Sequence, residues 1–130
     1  SSDLLVDCAH NYPAAKALSY ERGNWENEEV GIYWIVGVQK QKDINAILKT
    51  LLKKNDHLLL VPVPNQPSWQ LKDLSKFKEI KSQNIIEFEN FELAIEYLFS
   101  LKKWPPNYPV LTGSIFLVAE FIKFANKQKC

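Results

Sequence analysis

Ile32-Tyr33-Trp34-Ile35-Val36-Gly37-Val38 is followed by Ile44-Asn45-Ala46-Ile47-Leu48-Lys49-Thr50-Leu51-Leu52, and that by Leu58-Leu59-Leu60-Val61. The first run is β-branched and aromatic, the composition of a buried strand. In the second, Ile44, Ile47, Leu48, Leu51 and Leu52 recur at i, i+3, i+4, i+7 and i+8, which is one face of a helix. Asp43 is placed as its N-cap, and Lys49, Lys53 and Lys54 suit the negative end of its dipole. The third run is again a strand. Strands joined by a helix are usually parallel neighbours with a right-handed crossover.

The same rhythm extends in both directions. Leu4-Leu5-Val6 is a short strand; Pro13 then opens a helix over residues 14–20, and Gly23 closes it. Beyond Val61, Pro62 and Pro64 begin a loop that leads into a short helix within residues 71–77. Ile85-Ile86-Glu87-Phe88 is another strand. Asn90 caps a helix that turns Phe91, Ala94, Ile95, Leu98 and Leu101 inward and is halted by Pro105-Pro106. Val110-Leu111 is a short strand before a final helix over residues 115–127. That helix has a polar stripe of Glu120, Lys123 and Lys127 and is expected to be largely buried. The strands lack clean polar alternation, as expected when helices cover both faces. The expected fold is therefore α/β, a three-layer α-β-α sandwich of Rossmann-like type. Its sheet is mostly parallel with about five or six strands, one of them an antiparallel strand within residues 24–30. The pattern does not encode strand order.

The chain of 130 residues is one domain by size. Hydrophobic residues make up 46% and charged residues 24%, ordinary for a globular protein. A net charge of +1 leaves no electrostatic footprint for nucleic acid or an anionic membrane, so neither is expected as a partner. No apolar run approaches the roughly 18 residues of a membrane span. Cys8 and Cys130 lie at opposite ends, without metal-ligand spacing, and are expected as free thiols; no metal site is expected. Such sparse cysteine use fits a reducing, cytoplasmic setting. The chain has no Met, even at position 1. Either an initiator was removed or the chain is a piece of a longer protein.

In open parallel sheets ligands bind at the carboxyl ends of strands. Three polar loops lie there: Asp7-Cys8-Ala9-His10-Asn11-Tyr12-Pro13, Gly37-Val38-Gln39-Lys40-Gln41-Lys42-Asp43, and Thr112-Gly113-Ser114 opening a helix. The loops after the third and fourth strands are less suggestive. Each candidate also has a plain structural role. Asp7 and Asn11 suit turn caps, Ser114 a helix N-cap, His10 a surface loop, and Lys40 and Lys42 a solvated face. Trp25, Trp34, Trp69 and Trp104 are scattered and read as packing. The four glycines, Gly23, Gly31, Gly37 and Gly113, build neither a G-x-x-x-x-G-K-[ST] phosphate loop nor a G-x-G-x-x-G turn. No Ser-His-Asp set sits in a nucleophile elbow. A triphosphate could touch this domain but could not be cradled by it.

The three loops together resemble signatures of the C-terminal domain of folylpolyglutamate synthases, the folate branch of the Mur ligase superfamily. The stretch Asp7 to Asn11 resembles D-G-A-H-N, and Gly37 to Asp43 resembles G-[IV]-x-x-D-K-D. Leu111-Thr112-Gly113-Ser114-Ile115-Phe116-Leu117-Val118-Ala119-Glu120 resembles T-G-S-L-Y-L-V-G-E. The motifs come in the family's order and span nearly the whole chain. Cys8 stands for the motif Gly, Tyr12 displaces the motif Pro by one place, and Gln41 replaces the first Asp of D-K-D. The resemblance implies that residues 1–130 are the Mur ligase C-terminal (glutamate ligase) domain, a fragment of a three-domain enzyme. That enzyme adds L-glutamate to folate through an acyl phosphate made with ATP and Mg, and the resemblance extends to bifunctional members that are also dihydrofolate synthases. The phosphate loop and metal ligands would belong to the central ATPase domain of the same polypeptide, and the isolated chain would be inactive. Asp7, His10 and Asn11 would bind nucleotide, Asp7 at the ribose and His10 with a catalytic part. Lys40, Lys42 and Ser114 would hold the incoming glutamate. A monomer is expected. The alternatives are the same domain of a peptidoglycan Mur ligase, which more often shows D-Y-A-H-[NT]-P, or a non-catalytic flavodoxin-like binding module.

Overall fold

The computed structural model describes residues 3–23, 29–80 and 84–128. Among them, five strands alternate with five helices in chain order. These are β1 (Leu5–Val6), α1 (Tyr12–Arg22), β2 (Tyr33–Val36), α2 (Ile44–Leu51) and β3 (His57–Leu60). They are followed by α3 (Leu71–Leu74), β4 (Asn84–Glu87), α4 (Phe91–Ser100), β5 (Val110–Thr112) and α5 (Ile115–Gln128). The sheet order is β1-β5-β2-β3-β4, and every pairing is parallel. The chain thus skips a place between β1 and β2 and fills it last, with β5.

Alternation along the strands builds two separate cores. Trp34, Val36, Leu58, Leu60 and Val110 face α1, α2 and α3, meeting Ala15, Leu18, Ile44, Ile47, Leu48, Leu51 and Leu74. Ile35, Leu59 and Leu111 face the opposite way, onto Phe91, Ala94, Ile95 and Leu98 of α4 and Leu117 and Val118 of α5. A shift of one residue in any central strand would exchange the two sets, so the register is tightly specified. This is the expected three-layer sandwich. Two expected caps are present, Asp43 accepting from the Ala46 amide at 3.0 Å and Asn90 from Leu93 at 2.9 Å; Asn11, read as a turn residue, caps α1 as well, accepting from Ala14 at 3.0 Å.

Several expectations change. Pro13 is the second residue of α1, because Asn11 takes the cap and Tyr12 comes first. Helix α4 ends at Ser100, where Leu101 turns extended, so Pro105 and Pro106 fall in the following loop and do not halt it. The final helix is not largely buried. Leu117 and Val118 are buried, but Ile115 is 51% exposed, and Phe116 and Ile122 are exposed as well. The reason is topological: on the outer side of β5 the sheet continues only through β1, which is two residues long. An antiparallel strand within residues 24–30 lies largely outside the described residues; Glu29 and Val30 form a turn.

One charged pair is buried within the first core. Arg22, the last residue of α1, is fully buried and grips Asp56 with two bonds, Nη1 to Oδ2 at 2.8 Å and Nη2 to Oδ1 at 3.0 Å. The guanidinium also donates to the Leu51 carbonyl at 2.6 Å. Asp56 accepts further from the Ile32 and Lys53 amides and from the Trp34 indole, each at 2.9 Å. Burial alone would raise the Asp56 pKa. The Arg22 guanidinium, the two amides and the indole outweigh burial and hold it below the usual carboxylate range. The stability this contributes is complete above that range and is lost as pH falls through the lowered pKa. Asp56→Ala, which leaves Arg22 buried without a counter-charge, should therefore cost about 3–5 kcal/mol in urea unfolding at pH 7, with the deficit shrinking as pH falls below the ordinary carboxylate range. A loss under about 1 kcal/mol would show that the pair does not hold α1 to the sheet.

Candidate functional site

The topology decides which loops meet. Because β5 lies between β1 and β2, the three motif loops leave three adjacent strands at one edge of the sheet. Helix α1, after β1, and α2, after β2, lie on one face, whereas α5, after β5, lies on the other. The chain therefore diverges on both sides of β5, which opens the crevice where α/β sheets bind ligands.

Thr112 ties the loops together. Its hydroxyl accepts from the Ala9 amide at 3.1 Å, and its carbonyl accepts from the Gly37 amide at 3.2 Å. Ala9, Gly37, Thr112, Gly113 and Ser114 are all buried. Gly113 has φ of 112°, a conformation that L side chains rarely adopt, and a Cβ there would collide with the Gly37 carbonyl. At Gly37 itself, a Cβ would crowd the Val61 carbonyl and the Leu117 side chain, both 3.0 Å away. Gly113 is thus needed for the end of β5 to approach β2 this closely, and Gly37 for the end of β2 to fit against Val61 and α5. Ala9 meets the same constraint as the small buried residue beneath the first loop.

Above this floor, Asp7 is half-buried. Burial, then the nearby Glu21 charge, push its carboxyl above the usual pKa, and the Ala9 amide offsets this only in part. The His10 Nδ1 lies 2.7 Å from the Cys8 carbonyl, so Nδ1 donates. Asn11 uses its Oδ1 to cap α1, which leaves its Nδ2 to face His10 Nε2 at 3.4 Å. With a proton on Nδ1 the ring satisfies both neighbours, Nδ1 donating to the Cys8 carbonyl and Nε2 accepting from Asn11 Nδ2. Cys8 is exposed and free, as expected; Cys130 lies outside the described residues.

The second loop is held from a side the sequence reading passed over. Gln39 bridges Ser68; the Lys40 amide donates to the Pro67 carbonyl at 2.9 Å, and the Trp69 amide to the Val38 carbonyl at 3.0 Å. The Trp69 indole donates to the Lys42 carbonyl at 2.9 Å. Lys40 lies over the Trp69 ring, 4.3 Å from its centroid, and pairs with Asp73 at 2.8 Å. Trp69 is thus more than packing, and the loop after β3 is the support of the loop after β2. The signal was available: Trp69 follows a proline-rich turn at the same edge of the sheet. Of the two lysines, Lys40 is engaged, whereas Lys42 makes no ion pair among the described residues. The Ser114 hydroxyl accepts from the Phe116 amide at 3.1 Å, so it caps α5. Trp34 and Trp104 each donate an indole hydrogen bond, to Asp56 and to the Asp3 carbonyl; Trp25 lies outside the described residues.

Beside this edge, a cleft of about 550 Å³ runs between the 62–66 turn and the start of α4, lined in part by Glu89, Glu92 and Glu120. Those carboxylates make it a poor seat for an anion. Among the described residues, no group of three or more His, Cys, Asp or Glu could hold a metal ion, and no helix is long and apolar enough to cross a membrane.

An all-parallel sheet between two helical layers, with three loops gathered at a switch point, defines a doubly wound α/β domain. A family model described as dihydrofolate synthetase, C-terminal domain, matches residues 1–124, and the chain belongs to that family. It is 31% identical over 119 residues to a dihydrofolate synthase/folylpolyglutamate synthase of Buchnera aphidicola, covering 92% of this chain and 28% of that protein. It is 25% identical over 128 residues to a probable dihydrofolate synthetase of Schizosaccharomyces pombe, covering 94% of this chain and 31% of that protein. The chain thus spans about 30% of the length of such relatives. Among solved structures, folylpolyglutamate synthase of Mycobacterium tuberculosis, complexed with ADP and AMPPCP, superposes with a TM-score of 0.75 at 20% identity, over 92% of this chain and 29% of that one. E. coli FolC in complex with ADP gives 0.74 at 20% identity, over 95% of this chain and 29% of that one. At such identities the likeness is one of fold.

The raised pKa of Asp7 means that the folded chain binds more protons than the unfolded one just above the ordinary carboxylate pKa, so stability falls as pH rises through that window. Asp7→Asn removes the unfavourable charge. It should stabilise the fold at pH 7 by no more than about 1 kcal/mol after solvent screening, read as a higher melting temperature, with no gain once the carboxyl is protonated in acid. An unchanged or lower melting temperature at pH 7 would contradict the placement of this carboxyl.

Proposed function

We propose that this chain is the C-terminal domain, one of three, of an ATP-dependent ligase that adds L-glutamate to folate as a folylpolyglutamate synthase, with dihydrofolate synthase activity in the same polypeptide. The observation that carries this reading is the gathering of the three family motifs around Thr112 and Gly113 at one strand edge. The reaction passes through an acyl phosphate formed with ATP and Mg, whose phosphate loop and metal ligands lie in the central domain. This domain closes over the nucleotide and presents the amino acid. The enzyme acts as a monomer in the cytoplasm.

Within that reaction the Asp7 carboxylate accepts from the ribose hydroxyls, and its destabilising charge fits a group kept for a ligand. His10 lies between nucleotide and glutamate, and its Nε2 exchanges the long 3.4 Å bond from Asn11 for one from the attacking amine, which it orients. Lys42, rather than Lys40, holds a glutamate carboxylate, because the Lys40 ammonium is taken by Asp73. The Ser114 hydroxyl and the start of α5 supply donors for the second carboxylate. Lys40, Trp69 and Asp73 position the loop that carries Lys42.

The test is steady-state kinetics in the full-length enzyme. Asp7→Ala should raise KM for ATP roughly ten- to a hundredfold and leave that for glutamate nearly unchanged, the loss of one charged hydrogen bond. Lys42→Ala and Ser114→Ala should raise KM for glutamate instead, and His10→Ala should mainly lower kcat. Residues 1–130 alone should release no ADP with a reduced folate, glutamate and magnesium-ATP. Turnover by that chain, or an Asp7→Ala defect confined to glutamate, would overturn the reading.

A further inference from the structure

At the edge of the sheet away from the motif loops, an apolar groove of about 380 Å³ opens between the carboxyl halves of α4 and α5. Its walls are Ile95 and Phe99 from α4, Phe121 and Phe124 from α5, and Trp104 from the loop after α4. Phe99 and Trp104 pack with ring centroids 5.0 Å apart, yet Phe99 is 62% exposed. A lone exposed Phe needs no explanation, but here it forms one wall of an aromatic groove.

What enters the groove is visible at its end. Leu4 is one of its lining residues, and the Trp104 indole donates to the Asp3 carbonyl at 3.0 Å. Asp3 and Leu4 therefore lead into β1 along one wall of this groove. Strand β1 is parallel to β5 and carries Asp7 at its carboxyl end, so the point of arrival is opposite the candidate site. The family is that of a C-terminal domain, and the relatives are more than three times as long, which places most of their length upstream. An upstream domain that meets the motif edge must connect to β1 by a segment turning back along the flank of this domain. We propose that the groove walled by Phe99, Trp104, Phe121 and Phe124 seats that connecting segment, through large apolar side chains in the residues just upstream of position 1. The proposal rests on the reading of the chain as the last domain of a longer ligase. Docking the connector there fixes the direction from which the upstream domain approaches the site edge.

Hydroxyl-radical footprinting of the full-length polypeptide tests it, comparing the native connector with a Gly/Ser connector of equal length. The readout is the oxidation rate of Phe99, with Tyr20, 87% exposed on the opposite face, as the reference. The native connector should slow Phe99 oxidation several-fold relative to Gly/Ser, independently of protein concentration. Equal rates in the two proteins would overturn the proposal. So would protection that grows with concentration, which assigns the groove to a second copy, or protection that survives the Gly/Ser exchange, which assigns it to another part of the polypeptide. Ligase turnover is measured on the same samples. Protection without turnover would keep the connector seat and remove the ligase reading; turnover without protection would do the reverse.

Discussion

Strand β5 enters a sheet whose other members are already joined in sequence, and its last residues must fit between two loops. The contact of Thr112 and Gly113 with Ala9 and Gly37 is the constraint on which the candidate site depends. A hydroxyl at Thr112 satisfies the buried Ala9 amide, and the Thr112 carbonyl satisfies Gly37. Both bonds are buried, where an unpaired amide would cost about 1–3 kcal/mol. The missing side chain at Gly113 lets its backbone approach Gly37, and the missing one at Gly37 makes room for Val61 and Leu117. Small residues thus form the floor, and the groups able to touch a ligand, Asp7, His10 and Lys42, stand on loops rooted in it.

Stability is concentrated elsewhere. Arg22 and Asp56 join the end of α1 to the amino ends of β2 and β3, at the side of the sheet opposite the motif loops. Every Asp56 bond there favours its charged form, whereas the environment of Asp7 disfavours its charge. The domain therefore has one edge where a carboxylate is fully satisfied and another where the Ala9 amide offsets a carboxylate's burial only in part. Functional sites commonly carry such local disadvantage, supported by the rest of the structure.

The elements were legible where local pattern decides them. The five apolar residues of 44–52 read as one helical face; four became buried, with Leu52 packed beside them. Asp43 and Asn90 read as caps because a short polar side chain before an apolar run has that use, whereas Asn11 read as a turn residue. Strand order was not legible, since the placement of β5 between β1 and β2 is a long-range pairing that no window of sequence contains. The difference between Lys40 and Lys42 was hidden for the same reason: Asp73 and Trp69 lie about thirty residues away and arrive through the loop after β3. The exposure of α5 follows from the two-residue length of β1, which apolar content alone does not reveal. Motif resemblance located the site loops, and only the fold explains why they meet.

The most direct measurement is a crystal structure of the full-length polypeptide with a non-hydrolysable ATP analogue and glutamate. The account predicts ribose hydroxyls within hydrogen-bond distance of the Asp7 carboxylate, and glutamate between Lys42 and the start of α5, with Lys40 still paired to Asp73. A nucleotide seated in the acidic cleft beside Glu89 and Glu120, or away from the β1-β5-β2 edge altogether, would contradict it.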